Sequence, residues 1–229
     1  MEMAHISIFL LTNRPKWSIL RIGGDSIHKF DDFTDSRKND LINTGFEEFA
    51  THGYKRASLN HILQRSRIPK GLFYHYFANK EDLYTYLYQF GINVITKRLI
   101  DSSVLMERDY INRLIASYMI KVEAYHDYQF FDKFLMKVYR DDNNSFLETI
   151  HLEDSKEYGR RFIEENIASE MFLHSDMTAN IRVASRYMQQ TFNDIINRIH
   201  VMSKEDIKTY LDREAQYLRC ILYKEEYHD

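Results

Sequence analysis

From Asp35 onward, apolar residues recur at intervals of three and four, the spacing that lines one face of an α-helix. Leu41, Ile42, Gly45, Phe46, Phe49 and Ala50 follow Asp35 or Ser36 as capping candidates, and His52-Gly53 supplies a stop, which predicts a first helix over 36–52. Leu59, Ile62 and Leu63 predict a short second helix from Ala57 or Ser58. Ser66-Arg67-Ile68 ends it, and Pro69 opens a third helix at the first-turn position proline favours. Asn79, with Asp82 three residues on, predicts an N-cap for a fourth helix whose Leu83, Leu87, Phe90 and Val94 form one stripe running toward Ser102.

Further helices are predicted over 108–126, 128–140, 144–173, 177–200 and 204–223. The last two are the most regular. Met177, Ile181, Ala184, Met188, Phe192, Ile195 and Ile199 step by threes and fours, as do Ile207, Leu211, Ala215, Leu218 and Leu222, the second series capped by Ser203 with Asp206. Residues 1–34 lack such a period and contain Pro15, Gly23 and Gly24, so they read as an N-terminal extension.

Composition sharpens this to an all-α chain. Of 229 residues only 7 are Gly and 2 are Pro, and beyond Gly91 there is one further glycine, Gly159, and no proline. A turn-rich β-sandwich or a glycine-cornered nucleotide fold needs more breakers than that. The lone Cys220 excludes an internal disulfide and a cysteine-clustered zinc site, in keeping with a cytoplasmic protein. The apolar run Ile6 to Leu11 is shorter than the roughly 7 residues of a minimal secretory core or the roughly 20 of a membrane span, so neither export signal nor membrane anchor is expected.

Charge is unevenly distributed. The net −3 divides into −1 over residues 1–35, +5 over 36–80 and −7 over 81–229. A small basic segment on an acidic body suggests a module that faces a polyanion. Within it, the turn before Pro69 and the run Pro69-Lys70-Gly71-Leu72-Phe73-Tyr74-His75-Tyr76-Phe77 carry the chemistry. On a helical wheel Phe73 and Phe77 fall together as an apolar back, Gly71, Leu72 and His75 point the opposite way, and Tyr74 and Tyr76 lie on the flanks. A helix that enters the major groove of DNA needs that division, with flanking hydroxyls and lysines on phosphates.

The stretch from about Ser36 to Phe90 resembles the TetR/AcrR-like family of bacterial transcriptional regulators. The matching residues are Phe46-Glu47-Glu48-Phe49, His52-Gly53-Tyr54, Ser58-Leu59 with Ile62, then Lys70-Gly71, Tyr74, Phe77 and Lys80-Glu81. The resemblance implies a three-helix helix-turn-helix DNA-binding domain over 35–82, a helical ligand-binding and dimerisation domain over 83–229, and a homodimer formed by the last two long helices. It implies that Ser58 contacts phosphate, that Tyr54 packs near the backbone, and that Lys70, Gly71, Leu72 and His75 face the groove. Tyr74, Tyr76 and Lys80 would reach phosphates, Lys80 from the positive end of helix four. Two positions depart from the family pattern: Arg67 stands where the turn glycine is usual, and Ala57 where a threonine is usual, leaving Ser58 to cap. If the turn keeps its left-handed conformation, Arg67 costs about 1 kcal/mol relative to glycine.

In the body, aromatic residues with polar tips suit a pocket for a small organic ligand, with Tyr88, Tyr118, Tyr125, Phe131 and Phe134 as lining candidates. The acidic balance points to a neutral or cationic ligand. Met188, Phe192, Ile195, Ile199, Leu211 and Leu218 are the candidates for the dimer seam. Catalysis has no support: the chain has no paired-histidine metal motif, glycine-rich phosphate loop or nucleophile elbow, and His126-Asp127 and His151 with Glu153 have spacings that diverge on a helix. No metal or cofactor is expected. These residues describe a repressor released from a palindromic double-stranded DNA operator by a small ligand. The alternatives are a regulator controlled by a protein partner, or a helical assembly module that binds no DNA.

Overall fold

A computed structural model describes Phe30, Asp31, Phe33, residues 36–140 and residues 165–228. Among the described residues there are eight α-helices and no strand, which matches the all-α expectation. They are α1 (Arg37–Arg56), α2 (Leu59–Arg65), α3 (Lys70–Tyr76), α4 (Lys80–Asp101), α5 (Tyr110–Asp127), α6 (Phe131–Arg140), α7 (Met177–Ile196) and α8 (Lys204–Leu222). The chain forms two compact units. One takes its described residues from Pro15–Val94 and Tyr125–Leu152, the other from Ile95–Ala124 and Glu153–Asp229.

The first unit is built around α1. Its buried face is Leu41, Ile42, Gly45, Phe46 and Phe49, and Gly53 interrupts the helix with φ 70°, a left-handed value that costs glycine little. The stop therefore falls at the glycine, with one further turn to Arg56. Two close approaches seat the neighbours: a Cβ on Gly45 would lie 2.5 Å from the Leu87 side chain, and one on Gly91 would overlap the Phe131 ring. On α4, Leu83, Tyr84, Leu87 and Tyr88 are buried, with Phe90 and Val94 half-buried. α6 closes the unit from later in the sequence, its Phe131 and Phe134 ring centres 5.1 and 5.2 Å from Phe46. Phe30, which belongs by sequence to the extension, is also core, 4.9 Å from Phe77 and 5.3 Å from Tyr86. The unit thus extends beyond the 35–82 stretch at both ends.

The second unit holds α5, α7 and α8. Asp176 caps α7 through the Ala179 N–H at 3.0 Å, and Ser203 and Asp206 form the expected capping box on α8. Here one expectation fails. Met188, Phe192, Ile195, Ile199, Leu211 and Leu218 are at most 3% exposed in the single chain, so the regular apolar stripes of α7 and α8 face the unit's own interior rather than a second copy. A second failure concerns the helix expected over 144–173. Residues 144–164 lie outside the described residues, and the remainder is not α-helical. Asn166 is left-handed at φ 59°, Ser169–Met171 form a 3₁₀ turn, and Phe172 is extended and bridged to Tyr223. The Leu173 N–H donates to the Leu222 carbonyl at 2.8 Å and the Lys224 N–H to the Met171 carbonyl at 2.9 Å. Pairing with the chain after α8 satisfies backbone groups that a helix would have satisfied locally.

Candidate nucleic-acid interface

Helices α2 and α3 are short, so their placement depends on what holds their ends. Ser58 caps α2, its hydroxyl accepting the His61 N–H at 3.3 Å. Behind it lies Glu48 of α1, only 4% exposed, which accepts the Ser58 N–H at 2.8 Å and pairs with His61 Nδ1 at 2.6 Å. His52 Nε2 lies 3.9 Å away. Burial pushes the Glu48 carboxyl up, but the Ser58 N–H and the two histidines outweigh it, leaving the group below its ordinary value. The carboxylate therefore ties the start of α2 to α1.

The turn between α2 and α3 is a Schellman motif. The Ile68 N–H donates to the Leu63 carbonyl at 3.1 Å and the Arg67 N–H to the Gln64 carbonyl at 3.3 Å, with Ile68 and Leu63 both buried. Arg67 occupies its left-handed position at φ 56°. The departure from glycine has thus left the turn's conformation intact. Ser66 is buried and its hydroxyl donates to the Ile62 carbonyl at 2.8 Å. Pro69 sits one position earlier than expected, as the N-cap of α3.

On α3 the division of faces is as the wheel indicates. Phe73 and Phe77 are 1% exposed, with ring centres 5.2 Å apart. Lys70, Gly71 and His75 are exposed, Leu72 is half-buried, and Tyr74 is 58% exposed. A Cβ on Gly71 would meet no atom within 4 Å, so nothing in the chain itself selects glycine there. Tyr76 is half-buried, its ring against Phe30 at 5.3 Å and Phe33 at 5.5 Å. It braces α3 more than it reaches outward.

Lys80 departs furthest from its expected role. Its ammonium donates to the carbonyls of Tyr54 at 2.7 Å and Ala57 at 3.0 Å and lies 4.7 Å from the centre of the Tyr54 ring. These carbonyls end α1, where a cation complements the helix dipole. Lys80 therefore fastens the end of α1 to the start of α4 and is only half-exposed. Tyr54 packs as expected, 5.0 Å from Tyr84. Around the turn Lys70 and Arg67 face outward, and Arg65 is exposed but paired with Glu47 at 2.7 Å.

The five ligand-lining candidates are divided between the two units. Phe131 and Phe134 are the joint between α6 and α1, Tyr125 lies 5.5 Å from Phe131, and Tyr88 is buried in the same unit. Tyr118 belongs to the other unit, where it stacks on Phe192 at 4.4 Å. Among the described residues no cluster of three metal-binding side chains occurs, and no helix is long and apolar enough to cross a membrane.

A capped, buttressed pair of short helices with a left-handed turn and an exposed second helix is the geometry of a helix-turn-helix. Residues 41–87 match the family of bacterial regulatory proteins called the tetR family. It is 38% identical over 65 residues to the transcriptional regulator AcuR of Cereibacter sphaeroides; the match spans 28% of this chain and 29% of that protein, less than a third of each. In fold it is similar to a TetR family regulator from Chloroflexus aurantiacus, at 21% identity and a TM-score of 0.61 over 86% of this chain and 98% of that one. It is also similar to FadR from Bacillus subtilis, solved in complex with stearoyl-CoA, at 14% identity and a TM-score of 0.53 over 78% and 96%. These relatives are regulators, not enzymes.

Proposed function

We propose that the chain is a dimeric repressor of the cytoplasm that leaves a palindromic double-stranded DNA operator when a small organic ligand binds its helical body. The observation that carries the DNA-binding part is α3, whose back is sealed by Phe73 and Phe77 while Lys70, Gly71 and His75 stand free. Gly71, Leu72 and His75 face base edges, Lys70, Tyr74 and Ser58 reach phosphates, and Arg67 adds a phosphate contact from the turn. Tyr76 and Lys80 act by holding α3 and α4 in place. The seam between copies uses the outer faces of α7 and α8, where Val183, Tyr187, Tyr217 and Ile221 are large, apolar and exposed. Two-fold symmetry then demands half-sites separated by about one turn of duplex, roughly 34 Å, or somewhat more. The FadR complex supports the ligand part by showing the same fold holding an organic molecule.

The deciding experiment is fluorescence anisotropy of the full chain on duplexes from its own upstream region. Specific binding, lost on scrambling one half-site, is the expected result. Equal affinity for scrambled duplex defeats the reading.

A further inference from the structure

The buried carboxylate that ties α2 to α1 has a histidine on either side. Glu48 Oε1 accepts the Ser58 N–H at 2.8 Å, and its Oε2 lies 2.6 Å from His61 Nδ1 and 3.9 Å from His52 Nε2. Burial works against the charge of this carboxyl, but the Ser58 N–H and the two histidines outweigh it, so at neutral pH it is ionised and can only accept. The hydrogen in the short contact therefore belongs to His61 Nδ1. That settles the ring: Nδ1–H points inward to Glu48, and Nε2 lies on the opposite, outer edge. The His61 side chain is 48% exposed. It stands three residues after Ser58, on the same edge of α2, with its backbone N–H on the Ser58 hydroxyl.

A neutral ring held this way is unsuited to phosphate, because Nε2 then offers only a lone pair. A charged ring offers an Nε2–H with a full positive charge behind it. We propose that His61 is a further phosphate contact of the operator and makes that contact as the imidazolium, so that binding to DNA takes up protons. The Glu48 carboxylate and a phosphate oxygen then accept from the two N–H groups of one ring. This contact rests on the DNA-binding reading above, to which it adds a residue and a pH dependence.

The charges around the ring support this. With His61 neutral, an incoming phosphate meets the Glu48 charge across a single ring, and a proton on His61 turns that repulsion into attraction. The neighbouring cations are engaged elsewhere. Arg65, one turn further along α2, pairs with Glu47 at 2.7 Å, Arg56 Nε donates to the His52 carbonyl at 3.3 Å, and Lys80 of α4 donates to the carbonyls of Tyr54 and Ala57. On α3, Lys70 and His75 are exposed. His52 turns its own Nε2 to Glu48, the reverse of His61. Because the complex holds more protons than the free chain, affinity rises as pH falls through the range where histidine changes charge, roughly pH 8 to 5.

The test is fluorescence anisotropy of the full chain on its upstream duplex at about pH 6 and about pH 8, at constant ionic strength, with calorimetry in buffers of different ionisation heat to count protons. Affinity should be about tenfold higher at the lower pH, with net proton uptake on binding. His61→Asn keeps an N–H for Glu48 but cannot be charged, and should remove both the gain and the uptake. His52→Gln and His75→Asn should keep both. Should His61→Asn fail to fold, NMR of the His61 ring in the parent reads the same change: at about pH 7 the ring should be more highly charged in the complex than in the free chain. An affinity that does not change with pH, a gain that survives His61→Asn, or a ring in the same state in both samples overturns the proposal and leaves operator binding standing. If no upstream duplex is bound at either pH, the DNA-binding reading falls and this contact falls with it.

Discussion

Arg67 and Lys80 are both basic residues of the DNA-binding unit, yet substitution should move them in opposite directions. Arg67 is left-handed and exposed, so Arg67→Gly should raise unfolding stability by about 1 kcal/mol by relieving the backbone. If its charge meets phosphate, the same change should shallow the salt dependence of operator binding by about one unit. Lys80 holds the carbonyls that end α1, so Lys80→Met should cost about 1–2 kcal/mol of stability and leave the salt slope unchanged. Urea titrations and a salt series on the two variants check both expectations. Glu48 adds a pH signature. Its folded carboxyl titrates below the unfolded one, so its stabilisation is complete above about pH 4.5 and fades as pH falls through the folded value. Glu48→Gln should therefore be less stable than the parent at neutral pH, by about 1–2 kcal/mol, with the gap closing in acid.

At the scale of elements, what the residues made legible were the parts governed by local rules. The caps at Ser58, Asn79 and Ser203 and the stop at Gly53 are each decided within a few residues, and the structure has them where periodicity and capping put them. The seven-residue α3 could be oriented on a wheel because its two phenylalanines share one back. What misled was apolar character whose partner lies far away in sequence. Phe131 and Phe134 look the same whether they line a pocket or pack on Phe46, and the choice is made by an element some eighty residues earlier. The stripes of α7 and α8 announce that each needs a partner but not that they find it in each other. Residues 165–173 turn away from helix because backbone groups near Tyr223 are there to pair with. Phe131→Ala should accordingly cost about 3–5 kcal/mol and unfold the DNA-binding unit, seen as lost operator binding and a lowered melting temperature. A stable variant with altered ligand response alone would restore Phe131 to a pocket.

For the whole molecule, the question is which surface joins two copies. Ile195 is fully buried, so Ile195→Glu should unfold the protein instead of splitting a dimer. Tyr217 and Ile221 are 58% and 61% exposed on the outer face of α8. Replacing both with Asp should leave the helical signal intact, shift sedimentation from dimer to monomer, and weaken operator binding at least a hundredfold, about 2.7 kcal/mol. A folded double variant that still sediments as a dimer places the seam elsewhere.

The closure of the DNA-binding unit by α6 also bears on how the chain is made. The aromatic face of α1 is complete once Arg56 has left the ribosome, but Phe131, the first residue of its cover, follows 75 residues later. At ~5–20 residues per second that is a wait of roughly 4–15 s, during which Phe46 and Phe49 lack their final partners. Synthesis order thus leaves the α1 face uncovered until α6 is made, and a fragment cut after Val94 would keep that exposed face permanently. Such a fragment should aggregate on expression, and supplying α6 as a separate peptide should recover it.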